Sequence, residues 1–249
     1  MKGTPFRTSG RVSGEDFFGR SELIRAVIRN LRAKNSVAIV GTPRMGRTSL
    51  ITLLFRNYKR AERNVLTWFA DLRELETMDD LVEEFYIGIG AQTKSHSLNA
   101  LVKTLKVFEK RLIMFIDSAE RFAEPPFNEE ALFAVLSSYL PSQHVTLCIA
   151  TTVRPELMLT NRIGFSLHAQ FVTLELPPLT VDECEELIQK KLQWTGVRFS
   201  QPEIDGLIRE SKGHPADLQR LAAELFVAKT ESANMGKPQT IFTSERQRK

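Results

Sequence analysis

Short apolar runs alternate with stretches of helical period along most of the chain. Val37–Val40 ("VAIV") is an unbroken apolar run of strand length. Ser49–Arg60 follows it with Leu50, Leu53 and Leu54 on one helical face. The spacing then predicts a strand over Val65–Leu72, helices over Asp79–Ala91 and Leu98–Lys110, and a strand over Leu112–Asp117. A helix over Asn128–Leu140, stopped by Pro141, leads to strands over Val145–Thr152 and Phe171–Leu176. Strand–helix alternation of this kind calls for a parallel sheet, because a crossover must return the chain before the next strand begins. Such strands are covered on both faces, which suits runs that are apolar throughout, and ligands bind at their carboxyl ends.

After Leu176–Leu179 ("LPPL") the strand runs cease. Thr180 stands as a helix N-cap with Glu183 three residues on and Gly196 at the stop. A second helix starts at Ser200, with Pro202 in its first turn, and ends at Gly213. A third, over His214–Lys229, carries Leu218, Leu221 and Leu225 on one face. The expected organisation is an α/β domain over residues 1–178, a small all-helical lid over 179–229, and a loose, basic tail over 230–249. The sequence contains no internal repeat and no low-complexity tract.

Between the first strand and the first helix lies "GTPRMGRTS" (Gly41–Ser49), which fits G-x-x-x-x-G-[KR]-[ST]. Glycines at Gly41 and Gly46 let the backbone wrap closely round phosphates, with the N–H groups of the helix start facing the anion. Thr42, Pro43, Arg44, Met45, Arg47, Thr48 and Ser49 complete the candidate phosphate loop, and Thr48 is a candidate Mg²⁺ ligand. Asp117 ends the apolar run of the third strand about 70 residues later, where a second Mg²⁺ ligand is expected. Either feature alone is common in proteins that bind no nucleotide; the two in this order are specific. Asp71, at the end of the second strand, reads more simply as a strand-end cap than as part of a Mg²⁺ shell.

"DFFGRSELIRAVIRNL" (Asp16–Leu31), the phosphate loop, "LIMFIDSAERF", "CIATTVRPEL", "LELPPLTVDECEELI" and "SKGHPADLQRLAAEL" occur in the order in which STAND and archaeal-type AAA+ ATPases carry their motifs. The chain resembles that family over most of its length. The resemblance implies a P-loop NTPase fold, a five-stranded mostly parallel sheet flanked by helices, then a helical lid. It implies ATP or ADP with Mg²⁺, held by Walker A and Walker B motifs, and a homo-oligomer or another protein subunit as partner. Carried over, Phe18, Gly19 and Arg20 lie on the adenine side, Thr152 and Arg154 sense the γ-phosphate, and Gly213, His214 and Pro215 make the lid contact. Arg154 also has the alternative of an intersubunit finger, and His214 of a capping or packing residue.

Two departures bear on catalysis. Arg47 stands where the family has lysine, and a planar guanidinium is no substitute for a compact ammonium. Ser118 stands where the family has the acid that orients water. Glu120 points elsewhere if the strand continues past Asp117, and is brought back if a loop starts there. Arg47, Asp117, Glu120 and Arg154 are the catalytic candidates, and hydrolysis is expected to be weak. Arg47→Lys, and Ser118→Glu together with it, are expected to raise turnover.

Composition narrows the setting. The chain has 249 residues, 42% of them hydrophobic, enough for a sizeable core. The net charge of +4 is uneven: +5 over residues 1–35, +3 over 229–249, and −4 between. Basic ends on an acidic body suit nucleic acid or an acidic partner, although solvated termini look the same. No helix-turn-helix follows the lid, which speaks against an initiator or transposition-regulator type of nucleic-acid ATPase. A non-hydrolysing scaffold is the other alternative. Cys148 and Cys184 sit apart in apolar surroundings, no apolar run spans a membrane, and no secretory signal is visible, so a cytoplasmic location is expected. His96, His144 and His168 show no metal-ligand spacing, and Trp68 and Trp194 read as packing residues.

Overall fold

Runs of β-branched and aromatic residues form the centre of the molecule. The computed structural model describes residues 3–10, 17–62, 64–90, 104, 111–128, 136, 144–158 and 167–235. Its strands are β1 (Ser36–Val40), β2 (Val65–Asp71), β3 (Arg111–Asp117), β4 (Val145–Thr151) and β5 (Phe171–Glu175). They pair in the order β2–β3–β4–β1–β5, every pair parallel. Each strand expected from the apolar runs is present, within one residue at either end.

The pleat divides the core in two. Ile113 and Phe115 of β3 face α1 (Ser21–Arg32) and α2 (Arg47–Ala61), packing with Val27, Leu31, Leu50, Ile51 and Leu54. Leu112, Met114 and Ile116 turn the other way and pack with Leu81, Val82 and Phe85 of α3 (Met78–Ile89). The Thr77 hydroxyl accepts from the Asp80 N–H at the start of α3, and Gly90, at φ 69°, ends it. Trp68 is buried on this side and its indole N–H donates to the Glu84 carbonyl at 3.0 Å. A one-turn helix, α4 (Pro155–Met158), follows β4. The helices expected over Leu98–Lys110 and Asn128–Leu140 fall almost wholly outside the described residues.

The chain clusters into two compact units, Arg11–Thr180 and a second made of Met1–Gly10 with Val181–Lys249. The second unit holds α5 (Val181–Leu192), α6 (Gln201–Ser211) and α7 (Pro215–Met235). Glu203 accepts from both the N–H and the hydroxyl of Ser200, which fixes the start of α6. The sequence places residues 1–10 with the sheet, but Phe6 and Arg7 make their contacts with the helices. Phe6 is buried, stacked on Phe199 at 6.1 Å and edge-on to Phe226 at 6.4 Å, and the Arg7 N–H donates to Gln219 Oε1 at 2.9 Å. Phe6→Ala is expected to cost roughly 3 kcal/mol, seen as faster amide exchange in α6 and α7 with none in β1, β3 or β4.

Two expectations need correction. Helix α7 runs on to Met235 where a loose tail was expected from residue 230. Glu231, Ala233 and Met235 are good helix formers, and the Thr230 and Ser232 hydroxyls bond back to the carbonyls of Phe226 and Ala228. Trp194 does not pack: it is 88% exposed, two residues past the end of α5, where no helical face continues. Cys148 and Cys184 are buried free thiols, and burial pushes the Cys148 thiol well up. No helix among the described residues is long and apolar enough to cross a membrane.

Candidate nucleotide site

The site grows out of the carboxyl end of β1. The Gly41 N–H donates to the Thr151 carbonyl at 3.1 Å, and the Leu176 N–H to the Val40 carbonyl at 2.7 Å, so neighbouring strands hold the loop on both sides. A Cβ at Gly41 would lie 3.0 Å from Leu176 Cβ and 3.3 Å from Arg47 Cγ, which leaves no room for a side chain. Thr42, Pro43 and Arg44 are exposed, while Met45 is buried in the core and pins the loop. Gly46, at φ 89°, turns the chain into α2. Gly46, the N-cap, has no side chain to cap this helix and the first turn holds no acid, which leaves the helix start suited to an anion.

Register supplies the acids. Asp71 of β2 pairs with Asp117 of β3, setting two carboxylates side by side at the same edge of the sheet. Asp117 is 1% exposed; its Oδ1 accepts from the Ser118 N–H at 2.9 Å, and its Oδ2 lies 3.5 Å from Arg73 Nη2. Burial raises the Asp117 carboxyl above its ordinary range and the Asp71 charge adds to this, against the Thr48 hydroxyl, the Ser118 N–H and Arg73. At Asp71 burial pulls upward too, but hydrogen bonds from Arg73 and Ser118 outweigh it and hold that carboxyl low.

Beyond Asp117 the strand stops. Ser118 takes φ 57° and its hydroxyl donates to Asp71 Oδ1 at 2.9 Å. The turn Ala119–Ala123 then brings Glu120 back over the loop, where Oε2 lies 3.3 Å from Arg47 Nη1 and accepts the Thr152 N–H at 3.1 Å. Of the two courses open to Glu120, the chain takes the loop. The same geometry removes the reason for Ser118→Glu, because a carboxylate at that buried position would meet Asp71 and Asp117.

No motif in the sequence points to Arg73. This residue follows Asp71 by two and starts no motif, yet its guanidinium lies among the acids. Nη2 is 3.0 Å from Asp71 Oδ2, 3.3 Å from Thr48 Oγ1 and 3.5 Å from Asp117 Oδ2. Nε donates to Asp71 Oδ1 at 3.2 Å. Thr48 and Asp117 have the hard oxygen donors that suit Mg²⁺. The space between them holds a cation of the chain's own, so with Arg73 in place these residues do not fit the ion. Among the described residues no group of three or more His, Cys, Asp or Glu is placed to hold a metal.

Other candidates are dispersed. Gly19 and Arg20 take φ 73° and 60° ahead of α1, and a Cβ at Gly46 would lie 3.1 Å from Arg20 Nη1, so buried Arg20 does reach the phosphate loop. Phe18 is half-buried, and Phe17 packs against the core. Arg154 is exposed and donates to Glu175 at 2.6 Å. Gly213, His214 and Pro215 form the turn between α6 and α7, and within that unit His214 Nδ1 lies 3.1 Å from Asp217 Oδ2.

A five-stranded parallel sheet in this order, with a glycine loop after β1 and an acid ending β3, is the fold of a P-loop NTPase. Residues 8–232 match the family described as novel STAND NTPase 1, and the chain belongs to it. No curated protein matches the sequence. Among solved structures it is similar to the ORC2 protein of Aeropyrum pernix in ADPNP–ADP complexes, at 16% identity and a TM-score of 0.65 over 92% of this chain and 67% of that one. The ORC1 protein of the same organism, in complex with DNA, matches at 16% identity and 0.64 over 89% and 62%. A Walker-type ATPase of Pyrococcus abyssi matches at 16% identity and 0.65 over 94% and 78%. The chain thus spans about two thirds of the length of the two ORC proteins.

Proposed function

We propose that the chain is a nucleotide-responsive module that binds ATP or ADP at Gly41–Ser49, hydrolyses it slowly, and lets the bound nucleotide set its association with a second copy or another protein subunit. Phe18, Gly19 and Arg20 are assigned to the adenine side. Thr152 and Arg154 are assigned to the γ-phosphate. The observation that carries the reading is the pair Arg47–Glu120, with Nη1 and Oε2 3.3 Å apart. An acid that is to orient water works best with its charge unspent. Glu120 Oε2 already serves Arg47 and the Thr152 N–H. Nucleotide binding needs neither group to be released, and a ligand that favours one conformation shifts assembly without hydrolysis. Similarity to structures holding ADPNP and ADP supports the choice of ligand.

Light scattering of the full chain in apo, ADP and ATP states tests this: mass is expected to rise with ATP or a non-hydrolysable analogue. Equal mass in all three states, with nucleotide demonstrably bound, would favour the scaffold reading. Arg47→Lys is expected to raise phosphate release about tenfold, equivalent to ~1.4 kcal/mol of barrier. The shorter ammonium frees Glu120 and delivers a compact charge. Wild-type turnover equal to or above that of the variant shows Arg47 in productive use.

A second reading takes support from the similarity to an ORC1 protein in complex with DNA and from the basic ends, +5 and +3. Tight DNA binding with a steep dependence on salt, lost on removing residues 236–249, would favour it.

A further inference from the structure

One nitrogen occupies the position at which a divalent cation would be sought. Arg73 Nη2 is 3.0 Å from Asp71 Oδ2, 3.3 Å from Thr48 Oγ1 and 3.5 Å from Asp117 Oδ2. The backbone is committed to this arrangement. Asp71 ends β2, its Oδ1 accepts the Arg73 N–H at 3.1 Å, and that bond caps the turn Leu72–Glu74, which aims the Arg73 side chain back across the strand ends. Asp117 needs such a partner: it is 1% exposed, and a desolvated carboxylate stays charged only beside a positive group. The rest of the Arg73 side chain is open, 56% exposed, so the guanidinium can meet a ligand at the start of α2, one residue from Thr48. Among the described residues its contacts run through Nε and Nη2, leaving the N–H groups of Nη1 for a phosphate oxygen. Mg²⁺ demands near-octahedral oxygen ligands at about 2.0–2.1 Å. To enter here it would have to expel a guanidinium that two carboxylates hold.

We propose that Arg73 takes the place of the divalent cation, its guanidinium bridging Thr48, Asp71 and Asp117 to the nucleotide phosphates, so that the chain binds ATP and ADP without Mg²⁺. The proposal rests on the nucleotide-binding reading above and goes beyond it. Arg20, Arg47 and Arg73 then supply the positive charge that a lysine and a metal supply elsewhere, through planar N–H donors that recognise phosphate oxygens in pairs.

Calorimetric titration of the full chain with ATP and with ADP, in Mg²⁺ and in EDTA, tests it. Wild-type affinity is expected to change less than about threefold between the two buffers, whereas Arg73→Gln should lose about tenfold or more in EDTA and recover in Mg²⁺. Arg73→Lys, which keeps the charge, should lie between them. A second readout needs no nucleotide: Mn²⁺ followed by electron paramagnetic resonance should bind Arg73→Gln, with Asp71 and Asp117 uncovered, and not the wild type. If Arg73→Gln does not fold, the wild-type arms decide alone. Wild-type binding that falls tenfold or more in EDTA, Mn²⁺ binding to the wild type, or an Arg73→Gln variant as indifferent to EDTA as the wild type would each overturn the substitution of arginine for metal. Binding in Mg²⁺ but not in EDTA would leave the nucleotide-binding reading standing. Binding in neither would remove both.

Discussion

Gly46→Val is expected to weaken ATP and ADP binding by roughly a hundredfold, or ~2.7 kcal/mol. A charge-assisted hydrogen bond from a backbone N–H contributes about 1.5–3 kcal/mol, so displacing the loop from even two phosphate oxygens accounts for the loss. Two features make Gly46 the sensitive point. Its φ of 89° is a conformation that valine adopts only under strain, and a Cβ there would lie 3.1 Å from Arg20 Nη1. The variant would therefore move the start of α2 and Arg20 together. Calorimetry on protein shown by circular dichroism to be folded measures it; unchanged affinity would mean that phosphates bind elsewhere.

Ser118→Glu is expected to destabilise the α/β unit by about 3 kcal/mol or more, the usual cost of an uncompensated buried charge. Ser118 is buried, its φ is 57°, and its hydroxyl donates to Asp71 Oδ1 at 2.9 Å. Glutamate would replace that donor with a third carboxylate where one guanidinium already serves two. Burial and like charge raise the folded-state pKa of such a group above its unfolded value. The deficit relative to wild type should therefore be full at neutral pH and shrink as pH falls through that raised value, once the new carboxyl is protonated in both states. Denaturant unfolding at neutral and acid pH reads the difference; a deficit independent of pH would place the cause in the backbone and not in the charge.

The strands were legible because a parallel strand buried on both faces leaves an apolar run with no alternation, and β1, β3 and β4 are such runs. The phosphate loop was legible because its glycines are required by backbone geometry that is local in sequence. Helix α1 carries the same kind of signal, with Val27 and Leu31 four residues apart on its buried side. Glu120 could not be placed from sequence, since its position depends on whether Ser118 continues the strand or turns out of it at φ 57°. Arg73 was invisible for a related reason. It meets Asp71, two residues away, and Thr48 and Asp117, which the order of the sheet alone brings near. Trp194 misled because aromatic content says nothing of where a helix has already ended.

The Arg7 to Gln219 hydrogen bond joins residues 212 positions apart, and Phe6 closes against Phe199 and Phe226 over similar spans. Along the chain, the α/β unit is thus an insertion inside the helical one. During synthesis the first ten residues leave the ribosome long before their partners exist, and the sheet can close while they wait. The loop they finally shut adds little further entropy cost, because that cost grows only with the logarithm of length. The segment is short and lies at the edge of its unit, so it should detach and rejoin in the native protein at a fraction of the free energy of global unfolding. The helical unit therefore has an assembly step of its own, set by translation at one end and reversible at equilibrium at the other.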